Sequence, residues 1–282
     1  MKTSVYYKTK RISLNMLIHL FLIAVAATCI FPLLWMVSSS LKTQGEIFKD
    51  TSLIPRVFHF ENYYLAWMEG GFGRFFLNSI FYTASVVIGI VIVASLAAYA
   101  FSRLNFPGKN ILFFMFMAAM MIPIPGSFVP LYILLNKLHL RNTALGYILA
   151  MINVGLSTSI FLLKTFFDKM PTELEDAARI DGCSKLGIWW NVALPLAKPV
   201  LAVVVVFNAL TVWNEYILAL IIFDSRALMP LQVALMTFQG EFITRYPLLM
   251  AGLTITALPI IIVYLLMQKY IVKGVTAGAV VG

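Results

Sequence analysis

Long apolar runs separated by polar segments dominate the hydrophobic pattern of this chain. Each run has the roughly 20 residues that a helix needs to cross a bilayer, and none alternates as a barrel strand would. Because backbone groups in hydrocarbon must bond to one another, the pattern predicts an all-α, polytopic membrane protein. The six predicted spans are Leu14 to Val37, Ser79 to Phe101, Ile111 to Leu135, Ala144 to Leu163, Pro199 to Phe223 and Leu248 to Met267.

Composition supports a chain whose main solvent is lipid. Hydrophobic residues make up 61% of the sequence and charged residues only 12%, a balance that one soluble core could not hide. The first run is longer than the core of a secretory signal, and no A-x-A-like cleavage site follows it, so we interpret it as a retained anchor. Cys29 and Cys183 lie far apart in sequence and predict neither a disulfide nor a metal site.

The net charge of +9 is distributed as a membrane topology signal. Basic residues gather before the first span, after the second, in the loop before the fifth and after the sixth, which predicts that both termini are cytoplasmic. Contact with lipid headgroups explains this charge better than nucleic-acid binding does. The residues predicted on the inner side are Lys2, Lys8, Lys10, Arg11, Arg103, Lys109, Lys164, Lys169, Arg179, Lys185, Lys198, Lys269 and Lys273.

Proline and loop length divide the chain further. Pro123, Pro125 and Pro130 predict a broken or bent third span, which suits either a transport site or simple packing. The predicted organisation is an N-terminal part (1–71) with the first span and an extracytoplasmic segment, a five-helix core (72–270) and a cytoplasmic tail (271–282).

The cytoplasmic loop at about 165–198 carries the strongest local signal. Pro171 and Thr172 with Glu175 predict a helix start, and Gly182 predicts its end. One face of this short helix would join acidic and small apolar groups, as suits docking into a partner, although helix capping alone also explains the acids. The residues of that face are Glu173, Asp176, Ala177 and Ile180.

The same loop resembles the E-A-A-x(3)-G-x(9)-I-x-L-P signature of the membrane subunits of bacterial binding-protein-dependent ABC importers. It contains Asp176-Ala177-Ala178, Gly182 three residues later, and Val192-Ala193-Leu194-Pro195 nine residues after that. Asp replaces Glu at 176 and Val replaces Ile at 192, and Glu175 could share the acidic role. Further stretches resemble the carbohydrate-uptake branch, in particular the smaller membrane subunit of maltose-type transporters: Asn78-Ser79, Ala98 to Arg103, Phe106-Pro107-Gly108, Trp213-Asn214-Glu215 and Gly274 to Ala279.

This resemblance implies a type I ABC importer fold, with a cytoplasmic coupling helix between spans four and five. It implies a second homologous membrane subunit, two ATP-binding subunits that hold the ATP and Mg²⁺, and an extracytoplasmic sugar-binding protein. It places the protein in the bacterial cytoplasmic membrane, and it implies contacts of Gln239 and Gly240 with the binding protein and of the tail with the ATP-binding subunits. No cofactor is expected on this chain, which has no G-x(4)-G-K-[ST] phosphate loop. The coupling residues that the resemblance and the helix pattern indicate are Glu173, Glu175, Asp176, Ala177, Ala178, Ile180, Gly182, Leu194 and Pro195.

Polar residues inside the predicted spans are candidates for the substrate pathway. The spacing of Asn208, Thr211 and Glu215 predicts one stripe of the fifth helix, with Asn214 beside it, and Asn153 and Ser157 form a smaller stripe on the fourth. A carboxylate within a span needs a wet or paired environment. These groups could contact a sugar, or they could be hydrogen-bonded contacts between helices.

Two other classes of function remain to be compared. A self-contained secondary transporter or channel for a small polar solute would also explain six spans and a broken helix, but it would not need the signature loop. An intramembrane enzyme is disfavoured, because the sequence contains no H-E-x-x-H, no paired intramembrane aspartates and no G-x-S-x-G. We therefore expect a permease subunit that is not itself an enzyme.

Overall fold

Helices make up most of the described part of the chain. The computed structural model describes residues 2–121, 124–240 and 244–279, with side chains described within 15–121, 126–240 and 244–268. In chain order the α-helices are α1 (Lys2–Ser40), α2 (Gln44–Lys49), α3 (Glu61–Glu69), α4 (Phe72–Arg103), α5 (Lys109–Ala119), α6 (Ile124–Lys137), α7 (Ala144–Lys169), α8 (Glu173–Ile180), α9 (Lys185–Ile188), α10 (Leu194–Leu196), α11 (Lys198–Asn214), α12 (Ile217–Ile222), α13 (Leu231–Ala234) and α14 (Tyr246–Ala279).

Within the described residues, four helices are long and apolar enough to cross a membrane, and a fifth candidate is the bent pair of Lys185–Leu196 and Lys198–Asn214. The protein is therefore a multi-pass membrane protein, but the described part of the chain does not contain six continuous spans. The predicted third span is divided between α5 and α6, and the predicted fifth is divided between α11 and α12. Pro123 lies outside the described residues, and Pro130 lies within α6. The four continuous candidates are Asn15–Ser40, Phe72–Arg103, Ala144–Lys169 and Tyr246–Gln268.

One compact unit comprises Met1–Gly70 and Thr237–Ile255. Its segment after α1 is ordered by polar contacts, as Thr43 and Glu46 form a capping box at the start of α2. The Gln44 side chain donates to the Thr244 carbonyl over 2.8 Å and accepts from the Tyr246 amide over 3.0 Å. These bonds join two stretches of the unit that are remote in sequence.

The second unit comprises Gly71–Met236 and Thr256–Gly282, and its core lies where α4 packs on α7. Aromatic pairs mark this contact near both ends, with ring centroids 4.8 Å apart for Tyr82 and Tyr147 and 5.9 Å apart for Tyr99 and Phe167. Between them one stripe of α4 carries small and β-branched residues that let the two helices approach closely. The fully buried members of that stripe are Val86, Ile90, Ala94 and Ala98.

Candidate functional site

Helix α8 follows α7 directly and has a well-defined end. The amide of Gly182 donates to the Arg179 carbonyl and the amide of Cys183 donates to the Ala178 carbonyl, which together form a Schellman motif. Gly182 adopts a φ of +82°, a conformation that other L-residues adopt only with strain. The glycine stop predicted from the sequence is therefore a backbone requirement.

The start of α8 differs from the prediction. Thr172 makes no side-chain cap, and Glu175 does not fold back to form a capping box. Its carboxylate points into the protein, where the Arg103 Nε atom lies 2.8 Å from Oε1 and the Tyr99 hydroxyl donates to Oε2 over 3.3 Å. The arginine and glutamate side chains are largely shielded from water, which strengthens the attraction between their charges.

The opposite face of α8 is open. Glu173, Asp176 and Ala177 are exposed, and Ile180 is 87% exposed at the end of the helix. Asp176 pairs with Arg179 of the same helix at 3.0 Å, with both side chains more than half exposed. Since exposed pairs of this kind contribute little to stability, the open face is not needed by the fold of this chain.

After α8 the chain turns back toward α11 through irregular helix. The stretch Lys185–Leu196 is divided into α9, a π-helical turn (Trp189–Ala193) and α10, and the helix axis bends by 80° where α11 begins. Trp189 is buried and Trp190 is exposed, as expected at a membrane boundary. In the signature segment Leu194 is half-buried and Pro195 is exposed, while Ala178 of α8 is buried.

Glu215 lies at a break between two helices. Helix α11 ends at Asn214, and the Glu215 carboxylate accepts from the amides of Leu218 (2.8 Å) and Ala219 (3.3 Å) in the first turn of α12. The Tyr147 hydroxyl lies 3.5 Å from the same group. The carboxylate therefore satisfies amides that the start of α12 would otherwise leave free, so Glu215 does not continue a stripe of α11.

Replacing Glu215 with alanine is expected to lower substrate uptake more than the amount of assembled protein. The change removes acceptors for two amides, a loss of about 1 kcal/mol that a folded chain tolerates, but it loosens the break between α11 and α12. Uptake by proteoliposomes and yield after gel filtration measure the two effects. Glu215→Gln keeps one acceptor oxygen, so its uptake should lie between that of the unaltered protein and that of the alanine variant. Normal uptake by the alanine variant would contradict the prediction.

Asn208 is separate from this break and is almost completely buried. Its Nδ2 group donates to Ser159 Oγ on α7 over 3.0 Å and to the Val204 carbonyl over 2.8 Å. The structure thus joins Asn208 to Ser159 rather than to Glu215. Among the other candidates, Asn153 and Asn214 are exposed, while Ser157 and Thr211 are half-buried.

Replacing Asn208 with leucine is expected to destabilise the protein by about 1 kcal/mol, the order found for hydrogen bonds between membrane helices. The thermal midpoint in detergent should fall, while the KM for uptake should stay unchanged, because a residue that is 2% exposed offers little surface to a ligand. Ser157→Ala, two residues before Ser159 and on a different face of α7, is the control for stability and should leave the thermal midpoint unchanged. A raised KM with unchanged thermal stability would instead place Asn208 in the pathway.

The far end of α4 holds an irregular segment after α12. Asn78 Nδ2 donates to the carbonyls of Ala227 and Met229, both over 2.9 Å, and Ser79 Oγ accepts from the Leu231 amide over 2.7 Å. These residues were noted in the sequence only for their resemblance, and the structure gives them a positioning role. In the other unit Gln239 and Gly240 are exposed, and Gln239 forms an isolated bridge with Thr244.

The sequence analysis did not predict that Glu175 of α8 faces inward and contacts Arg103 and Tyr99 of α4. The sequence analysis uses Arg103 for topology and uses Tyr99 and Arg103 as parts of a resembling stretch, and it gives neither residue a contact with α8. A usable signal was present, because Tyr99 and Arg103 are four residues apart and therefore share a face at the end of a span. Gly155 and Ser159 gave no such signal, since small residues recur along every span.

Comparison with known proteins gives one family for this chain. Residues 89–277 match the family described as "Binding-protein-dependent transport system inner membrane component". A probable ABC transporter permease protein of Bacillus subtilis, YurM, is 37% identical over 94% of this chain and 87% of its own length. The diacetylchitobiose uptake system permease protein NgcG of Streptomyces coelicolor is 31% identical over 92% of this chain and 87% of its own length.

Two further similarities agree with these. The arabinooligosaccharides transport system permease protein AraQ of Halalkalibacterium halodurans is 31% identical over 92% of this chain and 93% of its own length. The fold is similar to a chain in the crystal structure of a bacterial ABC transporter involved in the import of the acidic polysaccharide alginate. That similarity has a TM-score of 0.81 at 24% identity and covers 91% of this chain and 96% of that chain.

Proposed function

This chain belongs to the family of binding-protein-dependent transport system inner membrane components, and from that premise we propose that it forms half of the pathway by which an ATP-driven importer moves an oligosaccharide across the bacterial cytoplasmic membrane. It is a permease subunit and not an enzyme. In the proposed complex it pairs with a second homologous membrane subunit, two ATP-binding subunits hold the ATP and Mg²⁺, and an extracytoplasmic binding protein delivers the sugar.

The open face of α8 is the observation that carries the proposal. An isoleucine that is 87% exposed on a helix with a rigid stop costs free energy in water, about 1.5 to 3 kcal/mol relative to burial. A partner that covers Ile180 and Ala177 and offers a basic group to Asp176 would recover that free energy. We assign this face to the cleft of an ATP-binding subunit, with Glu173 at its edge and Gly182, Leu194 and Pro195 fixing the helix in place.

The proposal that the substrate is an oligosaccharide is supported by the names of related permeases. The names of two of them specify diacetylchitobiose and arabinooligosaccharides. Hydroxyl-rich ligands suit amide and carboxylate groups beside aromatic rings, and the break between α11 and α12 offers Asn214 and Glu215 close to Tyr147. The proposed pathway residues are Asn153, Ser157, Thr211, Asn214 and Glu215. Of the residues that the sequence suggested, Asn208 is proposed instead to join α11 to α7, because its side chain is buried against Ser159.

We place both termini in the cytoplasm and count six crossings, in which α5 with α6 and α11 with α12 each form one interrupted crossing. Broken helices are tolerated at membrane depth where neighbouring groups satisfy the backbone, as the Glu215 carboxylate does at α12. The basic residues at the N-terminal end of α1 and in the loop that contains α8 support the same orientation. Gln239 and Gly240 then lie outside, where they are proposed to contact the binding protein.

The function is tested by co-expressing the chain with its neighbouring transporter subunits and reconstituting the purified complex in proteoliposomes. We expect the ATP-binding subunits to co-purify with the chain in a fixed ratio. Oligosaccharide uptake by the proteoliposomes should require both ATP and the binding protein. If the chain alone takes up the solute when an ion gradient is applied, the proposal is wrong and the chain is a self-contained secondary transporter.

A further inference from the structure

Three elements of the second unit meet at the side chain of Arg103, the last residue of α4. Its Nε atom lies 2.8 Å from Glu175 Oε1 of α8, and its Nη2 group donates to the carbonyl of Met170, the C-cap residue of α7. The arginine and glutamate side chains are only 12% and 7% exposed. The Tyr99 hydroxyl, one turn earlier on α4, occupies the second oxygen of the same carboxylate.

This arrangement fixes the rotation of α8 about its own axis. Successive residues of a helix differ by about 100°, so holding Glu175 inward turns Asp176 and Ile180 outward. The second ion pair of α8, between Asp176 and Arg179, lies on the exposed face and joins no other element. Buried ion pairs are often no more stabilising than apolar residues of the same size, so stability alone does not account for a charge pair at this position.

Helix α4 continues without a break from this junction to its opposite end. Its 32 residues span about 48 Å, enough to cross the bilayer. At the far end Asn78 and Ser79 hold the segment from Ala227 to Leu231 through hydrogen bonds of 2.7 to 2.9 Å. A displacement of α8 that is transmitted to Arg103 would therefore reach a segment on the opposite side of the membrane through one rigid helix.

We propose that Arg103 and Glu175 are positioning residues that lock α8 to α4, so that movement of the ATP-binding subunit displaces α4 instead of being absorbed by the loop. The inference rests on the proposed docking of α8. It adds that docking and transmission are separate tasks of this helix: its open face binds the partner, and its buried face passes the movement to the membrane.

The test uses the reconstituted complex with Arg103→Gln and Glu175→Gln. Both variants should retain the ATP-binding subunits, because the open face is unchanged, whereas the oligosaccharide transported per ATP hydrolysed should fall about tenfold, within the usual range of coupling between sites. Arg103→Lys keeps the charge and should recover part of the loss. Tyr99→Phe removes one hydroxyl, leaves the ion pair intact and should cause a smaller loss.

Arg141→Gln is the matched control. Arg141 also pairs with a carboxylate of another segment, Asp224, but it lies far from α8 in the loop between α6 and α7. The oligosaccharide transported per ATP hydrolysed by the Arg141→Gln complex should equal that of the unaltered complex. A normal ratio in both Arg103→Gln and Glu175→Gln would overturn the inference, as would loss of the ATP-binding subunits from both variants. If the unaltered chain itself fails to bind ATP-binding subunits, the proposed function fails instead.

Discussion

Replacing Ile180 with aspartate is expected to weaken binding of the ATP-binding subunit by about a hundredfold, while the folded membrane subunit stays intact. Binding no longer buries the apolar side chain of Ile180 and must remove water from a carboxylate. Together these changes weaken the binding free energy by about 3 kcal/mol or more. The fold loses little, because Ile180 is 87% exposed and the Schellman motif at Gly182 is made by the backbone. Co-purification of the ATP-binding subunit from detergent extracts measures the effect.

Ile54→Asp provides the control for this substitution. Ile54 is 76% exposed in the segment between α1 and α4, on the side of the membrane that we propose to be external. Introducing the same carboxylate there should leave co-purification unchanged. If Ile180→Asp retains the ATP-binding subunit and its stimulation by the binding protein, the assignment of the open face of α8 is wrong.

Replacing Gly155 with leucine is expected to have the largest effect on stability, more than about 3 kcal/mol, enough to remove most folded protein from the membrane. A Cβ atom at Gly155 would lie 2.0 Å from Asn208 Oδ1 and 2.6 Å from Ile90 Cδ1. Asn208 cannot move aside freely, since its amide is bonded to Ser159 and to the Val204 carbonyl. A longer side chain must therefore push α7 away from both α4 and α11.

The yield of monodisperse protein and the thermal midpoint in detergent measure this loss. Gly155→Ala should be intermediate, because part of the clash is offset by the better helix propensity of alanine, about 1 kcal/mol. Gly45→Leu is the control, since α2 leaves open space around Gly45. A Gly155→Leu variant with normal yield and thermal midpoint would show that the contact between α7 and α11 is looser than the structure has it.

The sequence predicts the membrane location and the presence of α8, because both depend on residues that are close together in the chain. The free energy of transfer into lipid depends on each apolar run by itself, so the runs within α1, α4, α7 and α14 were predicted. The helices extend beyond the predicted bounds, by up to twelve residues at the start of α1 and at the end of α14. The end of α8 was equally local, because a positive φ at Gly182 is a property of that residue and its neighbours. The interruption in the third predicted span was signalled by its prolines.

The break at Glu215 and the orientation of polar side chains were decided by tertiary structure. No proline marks the end of α11. The sequence indicates that Glu215 is an unusual carboxylate within a predicted span, but it contains no sign that this carboxylate caps the start of α12. Asn208 could equally have faced a pathway or a neighbouring helix, and only the packing of α7 beside α11 gives it Ser159 as a partner.

The sequence by itself determined that this chain is a helical membrane protein with a short acidic helix after α7, because transfer of apolar segments into lipid and helix termination depend on short stretches of residues. Only the tertiary structure decided which acid of that helix is available to a partner. Glu175 and Asp176 are adjacent and chemically alike, yet Arg103 of a distant helix holds one inside and leaves the other in solvent. Such a choice depends on which groups the fold brings together across the chain, and no local pattern contains that information.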